Sequence, residues 1–241
     1  MKRLLGLVIA CVALTPLFAQ TEVSLQQAEE LYRQGKFAAA LGAYETLLKS
    51  YPNNPFVYYN IGNCYFKIGS RGLATANYYR AFKLLPRDKD IRHNLAYALA
   101  SGGESLVPAG VPVSVYNAFF YLSFEELKGL TCGLFWVACL AVWIWLLRRK
   151  GRTAALVASV LFALCAAWLY ARYKIESRTL AVVAVPVAEI RSGPGINFPA
   201  NASVSQGHLL TVVDKKDHWY EVVVNAQSLK GWVESDTLEK I

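Results

Sequence analysis

Two apolar stretches five residues apart limit what this chain can become more than any other feature. Residues 129–147 read GLTCGLFWVACLAVWIWLL without a charged side chain, and residues 153–171 form a second charge-free run. Each is close to the roughly 20 apolar residues that cross a bilayer as a helix. Between them lies Arg148-Arg149-Lys150-Gly151-Arg152. So short a segment can only turn a helical hairpin, and a basic turn stays on the cytoplasmic side. Ser123-Phe124-Glu125-Glu126 has the pattern of a capping box that starts the first helix before the bilayer. Arg172, flanked by Tyr170 and Tyr173, ends the second at an interfacial level. We therefore expect spans over 128–147 and 153–172 with a cytoplasmic turn at 148–152. Neither run contains an ionisable group, so the helices read as an anchor and not as an ion or proton path.

This hairpin also explains the net charge. The formal charge of +8 would point to nucleic acid if it lay on a soluble face. Instead, Lys128, Arg148, Arg149, Lys150 and Arg152 carry an excess of five positive charges with no acid among residues 128–152, and Lys2 and Arg3 open the chain. The remainder is close to neutral, which argues against nucleic-acid partners. Met1-Lys2-Arg3, the apolar run Leu4–Phe18 and Ala19-Gln20 form an export signal, expected at 1–19. Val8-Ile9-Ala10-Cys11 loosely resembles a lipoprotein box but would leave a very short signal. With both ends exported, the soluble parts on either side of the hairpin belong outside the cytoplasmic membrane, in the periplasmic or extracytoplasmic space. Cys11, Cys64, Cys132, Cys139 and Cys165 show neither a CxxC pair nor zinc-ligand spacing and read as small packing residues. No metal or cofactor is expected.

The stretch before the hairpin is repetitive. Pro52 and Pro86 are 34 residues apart, and at the same offset Gly35/Gly69, Ala40/Ala74, Tyr44/Tyr78 and Ala28/Gly62 superpose. Small residues where helices cross, aromatics between them and a terminal proline resemble the tetratricopeptide pattern of paired antiparallel helices. We expect this module over 20–103, with repeats at about 21–54 and 55–88 and a capping helix at 89–101, carried by Ile91, Leu95, Ala96 and Leu99. The resemblance implies a concave face formed by the first helix of each repeat. That phase places Tyr32, Arg33, Tyr59, Asn63, Phe66, Lys67, His93 and Tyr97 there as partner-binding residues, a mixture of rings and donors suited to an extended peptide or a helix. Asn63 and Asn94 have the spacing of the two asparagines in the carboxylate clamp of chaperone-binding relatives. The clamp lysines are missing, since Tyr59 occupies the first position, so a clamp is not expected. Residues 104–127 read as a linker with an interfacial segment, and a plug for the groove is the alternative.

After residue 178 the pattern changes to short β runs: Ala181–Val187, Leu209–Asp214, Trp219–Asn225 and Lys230–Glu234. Ile190-Arg191-Ser192-Gly193-Pro194-Gly195, Gly207, Trp219-Tyr220 and Gly231-Trp232-Val233 resemble the bacterial SH3 family in order and spacing. The longer stretch Ala226–Leu229 departs from that pattern. Gly193-Pro194-Gly195 suits a tight turn, Gly207 a bend between strands, and the tryptophans would fill a small barrel. The resemblance implies a ligand surface for cell-wall peptides or proteins, with Arg191, Trp219, Tyr220 and Trp232 as contacts.

The three histidines, His93, His208 and His218, have no nucleophile in context, and no phosphate loop or paired acid cluster is present. No catalytic activity is expected. The fold class is thus a multidomain α + β membrane protein: a tetratricopeptide α-solenoid, a two-helix transmembrane hairpin and a small SH3-like β-barrel at 178–241. This order of parts, with Asp90-Ile91 and Asn94-Leu95-Ala96 in the capping helix, is similar to the tetratricopeptide/SH3 (BatE-like) component of the bacterial aerotolerance Bat family. That resemblance implies a scaffold working with von Willebrand A-domain membrane proteins and a MoxR-type ATPase under oxidative or envelope stress. A wall anchor whose SH3-like part contacts peptidoglycan is the alternative reading.

Overall fold

The computed structural model describes residues 25–224 and 229–241. The expected leader at 1–19 with Cys11, and Ala226-Gln227-Ser228 in the expected insertion, lie outside the described residues. Residues 25–33 are helical and form α1. It pairs with α2 (Phe37–Ser50), and α3 (Pro55–Ile68) pairs with α4 (Arg71–Leu84), before the single helix α5 (Lys89–Ser101). Local chemistry sets these limits. The Asn54 side chain accepts hydrogen bonds from the N–H groups of Phe56 and Val57 at 2.9 and 3.3 Å, with Pro55 at the first helical position. This arrangement supplies orphan donors with an acceptor and spends no N–H on the proline. Gly69, with φ of +93°, ends α3 in the left-handed conformation that favours glycine. Asp88 caps α5 in the same way as Asn54 caps α3.

The repeat offset seen in the sequence becomes two stacked cores. Ala28, Ala40, Tyr44, Leu47, Ile61 and Cys64 pack in the first, while Tyr78, Phe82, Ile91, Leu95 and Leu99 belong to the second. Gly62 shows why small residues recur at the crossings. A Cβ there would stand 2.6 Å from the Tyr78 ring.

Residues 104–122 are neither a bare linker nor a plug. Val113–Phe119 form α6, whose Tyr116 is buried against the second core together with Phe120, Leu106 and Val107. Arg92 lies over both the Phe82 and Tyr116 rings, at 5.7 and 5.9 Å. Val113 and Val115 remain exposed on the other side of α6. Aromatic packing against the repeats is what gives this segment a defined place.

The hairpin comprises α7 (Phe124–Arg148) and α8 (Arg152–Glu176), both long and apolar enough to cross a membrane. The capping box is formed in full: Ser123 Oγ accepts from Glu126 N–H at 3.2 Å, and Glu126 Oε2 accepts from Ser123 N–H at 2.9 Å. Trp136, Trp143, Leu147, Val160 and Leu164 point outward over more than half their surface. In water so large an exposed apolar surface would drive association; hydrocarbon surroundings remove that cost.

Seven strands make one antiparallel sheet in the order β3-β2-β6-β5-β4-β1-β7. They are β1 (Thr179–Val183), β2 (Val187–Arg191), β3 (Ala200–Ser205), β4 (Leu209–Lys216), β5 (Trp219–Val224), β6 (Leu229–Glu234) and β7 (Leu238–Lys240). The single run expected at Ala181–Val187 is broken, because Pro186 has no N–H to donate to a ladder. Strands β3 and β7 carry weak β patterns: Ala200–Ser205 is small and polar, and Leu238–Lys240 is only three residues long. The core is aliphatic, built from Val183, Ile190, Leu210, Val222, Val224 and Val233 with Tyr220. The tryptophans do not fill it. Strand β5 alternates half-buried and buried positions from Trp219 onward, so Trp219 lies on the outer face, and Trp232 is likewise half-buried in β6. Gly207 has a φ of +91°, as expected of the bend. Gly193 instead accommodates the Phe198 ring, which stands 2.5 Å from where its Cβ would be.

The helical and β modules are packed together. A Cβ on Gly72 of α4 would lie 2.1 Å from the Val183 carbonyl oxygen at the end of β1. Farther along α4, Arg80 bonds the Glu239 carboxylate at 2.5 Å and also reaches the Lys240 carbonyl. Gly102 meets the backbone of Gly207. The outer surface of the second repeat is therefore occupied, and the inner surface is left open.

Candidate functional site

The open surface is a groove of about 400 Å³ lined by Tyr32 from α1, Tyr59, Asn63, Phe66 and Lys67 from α3, and His93, Asn94 and Tyr97 from α5, with Tyr78 of α4 at its floor. The structure brings seven of the eight expected residues to one concavity. Arg33 is the exception. It is exposed and pairs with Glu30 one turn back at 2.7 Å, because the position after Tyr32 has rotated off the inner face.

Hydrogen bonding orders the middle of the groove. Asn94 Nδ2 donates to Asn63 Oδ1 at 3.0 Å and to the Tyr59 hydroxyl at 3.1 Å, and the Tyr78 hydroxyl donates to Asn63 Oδ1 at 2.8 Å. The two asparagines with clamp-like spacing are thus spent partly on each other. These bonds use Asn63 Oδ1 and Asn94 Nδ2, and the other end of each amide, a donor on Asn63 and an acceptor on Asn94, is of the kind an extended backbone pairs with. Tyr78 was legible only as a repeat position, and Asn94 as a repeat position with clamp-like spacing to Asn63. Their part in the groove arises from hydrogen bonds to Asn63 across 15 and 31 residues respectively.

Around this polar strip the walls are aromatic. Phe66 and Tyr97 meet edge to face at 5.8 Å, and the Tyr59 and Tyr78 rings lie tilted to each other at 5.9 Å. Burial, followed by the neighbouring Cys64 and Tyr59, raises the Tyr32 pKa; burial is also the main cause for Tyr78. Both phenols therefore stay neutral donors at physiological pH. Lys67, His93 and Tyr97 stand exposed at the rim, and among the described residues no carboxylate lines the groove. The arrangement can hold a backbone by paired hydrogen bonds, stack apolar side chains and attract negative charge.

The residues expected on the β module divide. Arg191 pairs across the sheet with Trp232, which in turn faces Glu221. Arg191 Nη1 donates to the carbonyls of Ile196 and Phe198 at 3.0 and 2.8 Å, and its other nitrogen meets Glu189, so much of its bonding capacity holds the 192–199 loop. Tyr220 is a core residue, 9% exposed, with Lys240 Nζ 4.3 Å above its ring. It is unavailable as a surface contact because β5 turns it inward. Trp219 and Trp232 remain on the outer face.

One residue at the junction was read only as the end of a span. Arg172 is 1% exposed and donates to the carbonyls of Phe119 and Leu122 at 3.2 and 3.0 Å and to Glu176 at 3.2 Å. Glu176 also pairs with Lys83 of α4 at 3.2 Å. The hairpin is thereby tied to both α6 and the repeats. Among the described residues no group of three or more His, Cys, Asp or Glu side chains could hold a metal ion.

Comparison with known families agrees with this division. Residues 25–81 match the tetratricopeptide repeat model, and residues 186–239 match the bacterial SH3 domain model. No curated protein matches the chain. The chain joins a tetratricopeptide-like helical module to an antiparallel sheet consistent with a bacterial SH3 domain, with two apolar helices between them in the sequence.

Proposed function

We propose that this chain is a non-enzymatic, membrane-anchored scaffold that holds a protein partner in the groove of its helical module. The observation that carries the reading is the open, ordered concavity of Tyr59, Asn63, Phe66, Asn94 and Tyr97, with the β module packed on the opposite side. The hairpin anchors both modules outside the cytoplasmic membrane, its basic turn inside. The order of parts supports a place in a Bat-type aerotolerance or envelope-stress complex. There the partners are von Willebrand A-domain membrane proteins served by a MoxR-type ATPase.

Tyr97 and Lys67 are the best probes because both are exposed and carry little of the core. Pull-down from detergent-solubilised membranes should lose the partner when Tyr97→Ala and Lys67→Ala are combined, with the thermal midpoint unchanged. Undiminished recovery would sink the groove assignment. Labelling with an impermeant maleimide tests topology: Lys216→Cys should react in spheroplasts and Lys150→Cys should not, and the opposite pattern refutes the orientation. The outer face bearing Trp219, Trp232 and Arg191 favours a second reading, in which the β module contacts peptidoglycan. Co-sedimentation of the full chain with purified wall should then fall on Trp232→Ala; no sedimentation leaves the scaffold alone.

A further inference from the structure

The segment that joins the repeats to the hairpin has one face with a partner and one without. Residues 105–124 carry no charged side chain. Tyr116 and Phe120 pack on the second helical core, whereas Val113, Val115 and Tyr121 are each more than half exposed, and Val111 is exposed as well.

Hydrogen bonds at the end of α6 fix its depth. The Phe119 carbonyl oxygen accepts from Trp168 Nε1 and from Arg172 Nη1, each at 3.2 Å, and the Leu122 carbonyl oxygen accepts from Arg172 Nη1 at 3.0 Å. A rise of about 1.5 Å per residue puts Trp168 about 6 Å deeper than Arg172, within the apolar run 153–171. The end of α6 is therefore level with the last turns of a span, where tryptophan, tyrosine and arginine mark the edge of the hydrocarbon. Helix α6 has 7 residues and is about 10 Å long. Even its first turn thus stays near the interfacial zone, which is roughly 5–8 Å thick on each side of a bilayer. Apolar side chains held this close to lipid gain by entering it, and these bring no charge with them. The backbone suits the same surroundings. Pro108 and Pro112 have no N–H, and their carbonyl oxygens accept from Val111 N–H at 3.2 Å and Tyr116 N–H at 3.0 Å.

We propose that residues 108–121 form a strap whose exposed apolar face lies in the lipid interface of the leaflet where α7 starts and α8 ends. Its other face holds the repeats, so the groove-bearing module rests on the membrane instead of swinging from a tether. Apolar surface, not charge, makes the contact. The proposal rests on the hairpin crossing the bilayer and is independent of what the groove binds.

The test is photocrosslinking of the full chain in phosphatidylcholine vesicles, with Val113, Val115, Leu140 or Ala100 replaced in turn by the photoreactive residue benzoylphenylalanine. Leu140 is exposed within the span of α7, and Ala100 is exposed about 16 Å along α5 from the end beside the Arg87–Glu126 pair. A mass increase of one phospholipid should appear at 140 and at 113, 115 or both, severalfold more abundant than at 100. Adding phosphatidylglycerol should leave these yields unchanged, because the patch carries no charge to be drawn to anionic lipid. Adducts at 140, with neither 113 nor 115 above the level at 100, would overturn the strap and leave the anchor standing. Their absence at 140 would refute the spanning hairpin and the strap with it. A yield that requires phosphatidylglycerol, or crosslinks to a second copy of the chain in place of lipid, would also overturn the proposal.

Discussion

Replacing Gly72 by alanine puts a methyl group where α4 touches the end of β1. The new Cβ would be 2.1 Å from the Val183 carbonyl oxygen and 2.9 Å from Ala184 Cα, against 3.4 Å or more in ordinary contact. Both neighbours are backbone, so no side chain can rotate away, and the helix and strand must part by about 1 Å. Overpacking of this kind costs about 1–3 kcal/mol. Alanine recovers somewhat less than 1 kcal/mol of helix propensity near the start of α4. The net loss is about 1–2 kcal/mol, confined to the module interface because Gly72 belongs to neither hydrophobic core. Hydrogen exchange is the discriminating assay. Ala184 N–H bonds the Thr237 carbonyl and Gly207 N–H bonds the Val183 carbonyl, both at 2.9 Å, beside the contact. These amides should exchange roughly 5–30-fold faster in Gly72→Ala. Amides at the centre of β5, such as Val222, and those in α2 should be unaffected. Unchanged protection at 184 and 207 would show that the modules are not held by this contact and would refute the packed arrangement.

Three further outcomes follow from single positions. Gly42 lies within α2, is exposed and has open space around its missing Cβ, so Gly42→Ala should stabilise the helical module by about 0.5–1 kcal/mol, read as a higher thermal midpoint. Gly231→Ala should do the reverse in the β module: its Cβ would meet Ile190 Cγ2 at 2.4 Å and the Arg191 carbonyl at 2.8 Å, and a loss of about 2–3 kcal/mol should appear in near-UV dichroism of the tryptophans. Arg87 grips Glu126 through two hydrogen bonds of 2.7 and 2.8 Å, and this bond, with the Ser123 N–H, holds the carboxyl below its ordinary value of 4.5. A lowered folded pKa contributes stability that is fully present above the unfolded value and lost as pH falls through the folded one. Acid titration of the thermal midpoint should therefore show a fall below about pH 4.5 that is reduced in Glu126→Gln; parallel curves for the two proteins would contradict the pairing.

The repeat, the hairpin and the SH3 order were legible because each is written in local chemistry. The 34-residue offset carries small residues to helix crossings, the apolar runs are uninterrupted, and Ser123 stands three residues before Glu126. Most of the groove followed from the same periodicity, since residues one helical turn apart share a face. Arg33 failed by one position of rotation. Tyr220, expected at the surface, lies in the core, and the tryptophans, read both as contacts and as core filling, lie on the outer face, because alternation along β5 decides which side faces inward and composition does not say where the alternation begins.

Only the tertiary structure decided how the parts meet. Gly72 against Val183, Arg80 with Glu239, and Arg172 beneath Phe119 and Phe120 join residues 50 to 160 positions apart, none of which has a periodic signature. Side-chain chemistry along the chain determined that helices, spans and strands would form. Which outer surface of the repeats would be covered, and that the groove would stay open, depended on close backbone approach and on buried charge finding its partners, and both exist only once the elements are packed.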